Sequence, residues 1–246
     1  MSSIDPFVNQ VIHGDCVNVL SSFPSACIDL IVTDPPYLVN YTPRDGRLCH
    51  NDNSSTWLKP SFTQLARVLK SNSFCVAFYG WPWIDEFMSV WKQVGFRPVS
   101  HLTWVKSHCS REGYTNSHHE VGFLLAKGNP PRPETPLRDV LPWSYTGNRY
   151  HTNEKPVLGI TPLIRAFSKP NDIVLDPFAG SGTTALAAHE CGRRFILIEK
   201  VARHCETART RLSITPRTKA ARNLPVTWAQ TTEERIQRRK ENHGPV

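Results

Sequence analysis

A chain of 246 residues, 39% of them hydrophobic, is long enough to bury one substantial core, which favours one α/β domain. Its 29 Lys and Arg against 21 Asp and Glu give a formal net charge of +8, which suits a polyanionic partner. No stretch approaches the ~20 apolar residues that span a bilayer and the first residues do not resemble a secretory leader, so we expect a cytoplasmic protein without a membrane segment.

Apolar runs rich in β-branched and aromatic residues alternate with helix-favouring segments along the chain. Strands are predicted at residues 11–13, 28–32, 74–79, 99–105, 121–126, 173–175 and 195–198, and helices at residues 55–69, 84–94, 161–167, 183–190 and 201–212. This alternation predicts an α/β fold with a doubly wound, mostly parallel sheet of seven strands. Residues 96–106 and 119–127 adjoin with no helix between them, so we expect an antiparallel pair at one edge.

A carboxylate, two prolines and an aromatic ring follow the second predicted strand, as Asp34, Pro35, Pro36 and Tyr37. Ligands of open α/β sheets bind where the strands end. The prolines fix φ and lack an N–H, so the carbonyls of Asp34 and Pro35 can face a ligand. Acceptors beside an aromatic face suit a planar group with an amino substituent, such as adenine or cytosine. Taken alone, the tetrapeptide also fits an ordinary turn.

A second run joins the sixth predicted strand to a helix through a glycine turn. It reads Asp176, Pro177, Phe178, Ala179, Gly180, Ser181, Gly182, Thr183 and Thr184. The glycines let a ligand approach the backbone, and the helix N-terminus offers free N–H groups. The turn lacks the Gly-Lys-Ser/Thr ending of a P-loop, which argues against phosphoryl transfer. A Rossmann dehydrogenase stays open, because Glu199 could hold a ribose.

Four of the predicted strands end in an acid. Because parallel strands bring their carboxyl ends to one rim of a sheet, we expect these carboxylates to converge although they are distant in sequence. Each of them could instead be a helix cap, which is common at a strand-to-helix turn. The four acids are Asp15, Asp34, Asp176 and Glu199.

With both motifs in this order, the chain resembles the S-adenosylmethionine-dependent DNA amino-methyltransferases of the β-class, over roughly residues 11–212. The resemblance implies a Rossmann-like methyltransferase fold with circularly permuted motif order, S-adenosylmethionine as cofactor and double-stranded DNA as substrate. In this family Asp-Pro-Pro-Tyr usually implies methylation of adenine N6, and Ser-Pro-Pro-Tyr of cytosine N4, so Asp34 favours adenine. We expect a small solitary enzyme of the restriction-modification type. No companion nuclease is evident, and a homodimer is left open.

The resemblance also implies the roles of individual residues. Asp34, Pro35, Pro36 and Tyr37 would be catalytic. Glu199 would bind the ribose hydroxyls of the cofactor, Asp15 its adenine amino group, and Lys155, in a segment at residues 151–156, its methionine portion; a surface lysine is the alternative for Lys155. The expected cofactor-binding residues are Asp15, Cys16, Lys155, Asp176, Pro177, Phe178, Gly180, Gly182, Thr183 and Glu199.

Cysteine usage argues against two other kinds of chemistry. The seven cysteines are odd in number and include no Cys-x-x-Cys pair, so we predict reduced thiols and no metal site. No Pro-Cys pair occurs, which disfavours methylation of cytosine C5 through a covalent cysteine. The remaining alternatives are a cytosine-N4 enzyme, a non-catalytic cofactor- or DNA-binding module, and methylation of RNA or of a glutamine amide.

We assign residues 1–214 to the catalytic domain and, within them, residues 108–150 to an extended, proline-rich loop for target recognition. Its candidate DNA-reading residues are Arg111, Tyr114, Asn116, His118, Arg132, Arg138, Asn148 and Arg149. Residues 215–246 form a basic tail that carries +4 of the net charge and that we expect to be flexible, either as a DNA-contacting arm or as a solvated end. The tryptophans at 57, 81, 83 and 91 are predicted core or pocket walls.

Overall fold

The computed structural model describes residues 3–39, 54–109, 114–147, 150 and 154–214. Short 3-10 turns lie at Asp5–Phe7 and Trp81–Trp83. The helices and strands follow in the order β1 (Gln10–His13), α1 (Cys16–Ser21), β2 (Ile28–Thr33), α2 (Leu58–Val68), β3 (Leu69–Phe78), α3 (Ile84–Gln93), β4 (Arg97–Lys106), β5 (His119–Lys127), β6 (Val140–Trp143), α4 (Val157–Phe167), β7 (Ile173–Asp176), α5 (Thr183–Glu190), β8 (Arg194–Glu199) and α6 (Ala202–Ile214).

The strands form one sheet in the order β1-β8-β7-β2-β3-β5-β4-β6. Strand β5 runs antiparallel to β3 and to β4, and the other neighbouring pairs are parallel. The predicted doubly wound, mostly parallel sheet is therefore confirmed. The predicted number of strands is wrong by one, because β6 pairs with β4 and takes the edge that we assigned to the antiparallel pair.

Strand β6 lies inside residues 108–150, which we predicted to be an extended loop. Its Pro142 lies beside Val105 of β4 in the parallel register. A proline lacks the N–H that a central strand needs, but an edge strand tolerates it on its open side. The same proline thus weakened the strand signal in the sequence without preventing the strand.

Both faces of the sheet are covered by helices, as the pattern predicted. Helices α1, α2 and α3 pack on one face, where Leu20, Phe62 and Trp91 are fully buried. Helices α4, α5 and α6 pack on the other, around Ile164, Ala187 and Cys205. Burying one large apolar side chain contributes about 1.5–3 kcal/mol, so these two cores hold the helices against the sheet. Among the described residues, no helix is long and apolar enough to cross a membrane.

The centre of the sheet is where the connections diverge. Strands β2 and β7 are parallel neighbours, with Leu30 beside Val174 and Ile31 beside Leu175. From β2 the chain continues to β3 on one side, whereas from β7 it continues to β8 on the other. Such a switch point leaves a crevice at the carboxyl ends of the two strands, where ligands of doubly wound sheets bind. Both sequence motifs follow these two strands.

Candidate active site

One cavity of about 830 Å³ opens at the carboxyl ends of β2 and β7. Residues 34–37 after β2, the tetrapeptide loop, line part of its wall. Residues 176–183 at the end of β7 form the glycine loop, and all of them except Gly182 line another part. The sequence-predicted residues that line it are Asp15, Cys16, Asp34, Pro35, Pro36, Tyr37, Lys155, Asp176, Pro177, Phe178, Gly180, Thr183 and Glu199. All four strand-end acids are thus brought to one cavity.

The carboxylate of Asp34 has a different partner on each oxygen. The hydroxyl of Tyr37 donates a hydrogen bond to Oδ1 at 2.7 Å, and the ammonium of Lys155 lies 2.6 Å from Oδ2. Burial raises the pKa of Asp34, an effect that Lys155 and the Tyr37 hydroxyl partly offset. Burial and the neighbouring Asp34 raise the pKa of Tyr37, so its phenol stays protonated and can donate this bond.

Gly80, which follows β3, packs directly against the tetrapeptide loop. A Cβ at this position would collide with the carbonyl oxygen of Tyr37 and would lie 2.9 Å from its Cβ. Sequence reasoning missed Gly80, although the residue follows a predicted strand. Only a glycine leaves room there for the backbone of the tetrapeptide loop.

The glycine loop is held by a carboxylate from the next strand. Gly180, at φ +51°, donates its N–H to Oε2 of Glu199 at 2.8 Å, and the N–H of Val201 donates to Oε1 at 2.8 Å. Burial acts to raise the pKa of Glu199, but bonds from His204, Val201 and Gly180 hold it below its usual value. Glu199 therefore stays charged at the rim of the cavity.

Gly182 is a predicted cofactor-binding residue that is not among the residues lining the cavity, so its contact with the cofactor stays a prediction. It adopts φ +84° at the start of α5, and a Cβ there would lie 2.9 Å from Cβ of Ala208 in α6. The residue is required by the turn and by the close approach of α6 behind it. Arg211 of α6 supports the same loop, since its guanidinium donates to the Ser181 carbonyl at 2.8 Å.

Asp176 is a buried acid whose described hydrogen bonds come from uncharged donors. The hydroxyl of Thr184 donates to Oδ2 at 2.6 Å, and the N–H of Phe178 donates to Oδ1 at 3.1 Å. Burial raises the pKa of Asp176 to about 7. A cationic ligand in the cavity would stabilise its charged form. S-adenosylmethionine, which carries a sulfonium and an ammonium group, fits this requirement.

Asp15 and Cys16 begin helix α1 at the same cavity. Asp15 caps the helix by accepting the N–H of Val17 at 3.0 Å, and its other oxygen lies 3.3 Å from the ammonium of Lys200. The thiol of Cys16 lies 3.4 Å from the hydroxyl of Ser61. Burial raises the pKa of Cys16, so its thiol stays neutral as part of the wall.

The side chain of Lys155 lies in the cavity and contacts the tetrapeptide loop, so it is not the surface lysine that the sequence left as an alternative. Its contact with the methionine portion of the cofactor stays a prediction. Besides the contact with Asp34, its ammonium lies over the rings of Tyr37, Phe78 and Trp143, at 5.3, 5.1 and 5.9 Å from their centroids. Its backbone carbonyl, in contrast, accepts the hydroxyl of Thr183 at 3.0 Å. Residue 155 thus links the two loops.

Further cavity residues had little or no signal in the sequence. Lys106 and Glu120, on neighbouring strands, form an ion pair at 2.7 Å in the wall. Of the four tryptophans that were predicted to be core or pocket walls, Trp91 is core, Trp57 and Trp81 line the cavity, and Trp83 lies on the surface, 42% exposed. The predicted residues Arg111, Asn148, Arg149 and 151–153 lie outside the described residues, as does the tail from 215 onward.

A family model described as a DNA methylase, of the N6/N4 methyltransferase type, matches residues 28–210. The chain belongs to this family. It is 46% identical to "Putative methylase YubD" of Escherichia coli (strain K12) over 210 residues, which make up 85% of this chain and 92% of that protein. The family assignment and the fold make the protein an S-adenosylmethionine-dependent DNA methyltransferase that modifies an amino group.

Solved structures agree with the family. The crystal structure of M1.HpyAVI with S-adenosylmethionine superposes with a TM-score of 0.67, at 26% identity, over 83% of this chain and 99% of that one. The PvuII DNA methyltransferase, which is cytosine-N4-specific, superposes with a TM-score of 0.67 over 95% of this chain and 93% of its own. At 19% identity the PvuII enzyme shows a shared fold alone.

Proposed function

We propose that this methyltransferase modifies N6 of an adenine flipped out of double-stranded DNA. One observation carries the proposal: the Asp34 carboxylate and the Tyr37 ring share a cavity with Gly180 and Glu199, so that an amine and a methyl donor can meet there. The choice of adenine rests on Asp34 as the first residue of the tetrapeptide, since this family more often carries Ser there when it methylates cytosine N4.

The cofactor would be held by the glycine loop and the acids around it. Glu199, which stays charged, would accept hydrogen bonds from the ribose hydroxyls, and Asp15 from the adenine amino group. Asp176 would lie near the cationic methionine portion. S-adenosylmethionine supplies a methyl group on a sulfonium, which is already activated for transfer. The residues of this chain then have to orient the amine and exclude water.

The target base would be held by the tetrapeptide loop. The lone pair of an exocyclic amine is delocalised into the ring, so the nitrogen is a poor nucleophile until its N–H groups are bound by acceptors. Asp34 and the Pro35 carbonyl would be those acceptors. Flipping the base costs a few kcal/mol, of which stacking on Tyr37 offsets about 1–3 kcal/mol.

The amine sheds a proton once it has been methylated, and Asp34 is the base within reach. Burial raises the pKa of Asp34, which strengthens it as a proton acceptor. Its hydrogen bond from Tyr37 holds the carboxylate in a fixed orientation. Positioning of the two reacting atoms supplies the remaining acceleration, and no covalent enzyme intermediate is required.

Recognition of the target sequence is assigned to residues 108–150, which form part of the catalytic domain at residues 1–214. From this segment, Asn116 and His119 line the cavity, and Arg132 and Arg138 are exposed. Exposed arginines can hold phosphates, and polar residues at the cavity can read base edges. For the basic tail, residues 215–246, we propose sequence-independent contacts with the DNA backbone.

The test is the identity of the methylated nucleoside. DNA incubated with the enzyme and methyl-labelled S-adenosylmethionine is digested and resolved by mass spectrometry, and we expect N6-methyladenine. N4-methylcytosine as the product would overturn the choice of base.

The assignment of Asp34 as a catalytic residue is tested by a substitution. Asp34→Ala should lower methyl transfer by about 100-fold or more, the usual range for a lost acid–base group, without weakening cofactor binding. The matched control is Asp85→Ala, an exposed aspartate of α3 outside the cavity, which should transfer like the wild type. Undiminished transfer by Asp34→Ala would show that the catalytic assignment is wrong.

A further inference from the structure

The ammonium group of Lys155 contacts Asp34, the residue that is proposed above to accept the target amine. Tyr37 donates to Oδ1 of that carboxylate, and Lys155 contacts Oδ2 at 2.6 Å. The side chain of Lys155 is 10% exposed and that of Asp34 is 24% exposed, so the contact is shielded from water. An entering amine therefore meets a carboxylate whose two oxygens are both engaged.

The surroundings of this ammonium suit an amino group on a flat ring. The rings of Tyr37, Phe78 and Trp143 lie within 6 Å of it. Aromatic faces attract a cation, and the same faces stack on a planar base. In the structure an N–H donor thus lies against Asp34 between aromatic rings, which is the arrangement that a flipped adenine would need.

The backbone of Lys155 is held by the glycine loop and by its neighbour in the chain. Its carbonyl accepts the hydroxyl of Thr183, and the preceding Glu154 forms a buried ion pair with Arg211 at 2.8 Å. The backbone at this position is thus anchored on the side of the glycine loop. A lysine side chain is a flexible chain of four methylene groups that ends in a compact charge. Its ammonium can therefore move away from Asp34 while the backbone stays fixed.

Two other acids act electrostatically on Lys155. Burial works against the charged ammonium, but Asp34, Glu120 and Asp176 together keep the pKa of Lys155 above its usual value. Glu120 lies in the cavity wall, paired with Lys106. Once displaced from Asp34, the ammonium therefore remains among carboxylates within the same cavity.

We propose that Lys155 is a positioning residue that stands in for the target amine, so that the base must displace its ammonium from Asp34 in order to bind. In the free enzyme the ammonium favours the charged form of Asp34 and orients its carboxylate. The inference rests on the proposed function, because it takes Asp34 as the acceptor for the amine. It removes Lys155 from the cofactor-binding residues that the sequence suggested.

The recognition site is first mapped by sequencing modified bases in DNA from cells that carry the wild-type gene. The test then compares the binding of two DNA duplexes that contain this site. One duplex has adenine at the target position, and the other has purine, which lacks the amino group. Affinities are measured with S-adenosylhomocysteine bound and at several pH values, so that a change in the protonation of Asp34 can be told apart from the loss of the competing ammonium. Purine has no amino group that can donate a hydrogen bond to Asp34. The affinity for its duplex therefore measures binding without displacement of the ammonium.

Lys155→Met keeps an unbranched side chain that is one atom shorter and removes its charge. It should increase the preference for the adenine duplex over the purine duplex by about tenfold relative to the wild type, as expected when a charged competitor for one hydrogen bond is removed. Lys155→Arg, which retains the charge, should keep the wild-type preference. The affinity for S-adenosylmethionine should stay within about twofold of the wild type in both variants.

A second readout is the pH profile of methyl transfer. Without the ammonium, the buried Asp34 binds a proton more readily, so the acid limb of the Lys155→Met profile should move to higher pH. Lys155→Gln provides the same test if the Met variant is poorly folded.

An unchanged duplex preference in Lys155→Met would overturn the inference. If S-adenosylmethionine binding were also about tenfold weaker, Lys155 would be a cofactor ligand instead. Failure of the proposed function is separate, because the wild type would then produce no N6-methyladenine.

Discussion

The tetrapeptide loop and the glycine loop follow adjacent parallel strands and line one cavity, but they are held by different kinds of interaction. In the tetrapeptide loop, side chains contact side chains, as Tyr37 and Lys155 do with Asp34. In the glycine loop, Glu199 accepts a backbone N–H from Gly180, and Gly182 adopts a positive φ. The tetrapeptide loop therefore depends on the identity of a few polar groups, and the glycine loop depends on the path of the main chain.

This difference predicts how each loop responds to substitution. A change of one polar group in the tetrapeptide loop should affect transfer while leaving cofactor binding intact. A change in the backbone of the glycine loop should affect cofactor binding first. Each loop also rests on a glycine, Gly80 beside one and Gly182 within the other, so that one added methyl group can test each of them.

Among the glycine substitutions, the largest effect is expected from Gly80→Ala. The new Cβ would collide with the carbonyl of Tyr37 and push the tetrapeptide loop away from the cofactor. A misplacement of about 1 Å can cost about 100-fold in rate, so kcat/KM for methyl transfer should fall by that order. The affinity for S-adenosylmethionine, measured by calorimetry, should stay within about twofold of the wild type. An equal loss of cofactor binding would mean that the two loops are not separable.

A smaller effect, on the other loop, is expected from Gly182→Ala. The variant combines an unfavourable φ of +84° with a Cβ 2.9 Å from Ala208, and overpacking typically costs about 1–3 kcal/mol. The affinity for S-adenosylmethionine should fall by about tenfold or more as the loop shifts.

Gly192→Ala is the matched control for Gly182→Ala. It has a similar φ of +69°, but nothing lies within 4 Å of its new Cβ. Thermal unfolding should show the larger loss for Gly182→Ala, and cofactor binding should change in that variant alone. Equal losses in the two variants would show that φ strain, and not contact with α6, determines the effect.

The elements that sequence reasoning predicted are those whose signal is local. An apolar run followed by an acid was enough to predict that four acids meet, since parallel strands end at one rim of the sheet. The four acids that line the cavity are Asp15, Asp34, Asp176 and Glu199. Strand β6 was not predicted because it has only four residues, contains Pro142 and is stabilised by its pairing with β4. A short edge strand of this kind depends on its neighbour more than on its own sequence.

The position of the Lys155 side chain could not be predicted for a related reason. Its backbone follows the expected path, next to the glycine loop through Thr183, but the side chain turns to Asp34, which is distant in sequence. Pairing between distant charges depends on the fold, and no local pattern encodes it. Arg211 is similar: its place on a helix gave no indication that it would support Ser181.

The smallest effect concerns the pH dependence of cofactor binding and tests the acid of the glycine loop. Burial raises the pKa of Asp176 to about 7 in the free protein, and a cation beside it would lower that value. Binding of the cationic cofactor should therefore release a proton. The affinity for S-adenosylmethionine should rise several-fold between about pH 6 and pH 7.5, where Asp176 loses its proton in the free protein.

Stability of the free protein should follow the opposite trend. Because the folded-state pKa of Asp176 is raised, its contribution to the free energy of unfolding is fully present below its ordinary pKa and is lost as the pH rises through about 7. Asp176→Asn should remove both trends, whereas Asp172→Asn, before the same strand and outside the cavity, should leave both unchanged. Calorimetry in buffers of different ionisation enthalpy counts the released proton. If the wild type releases none, the cationic part of the cofactor does not lie beside Asp176.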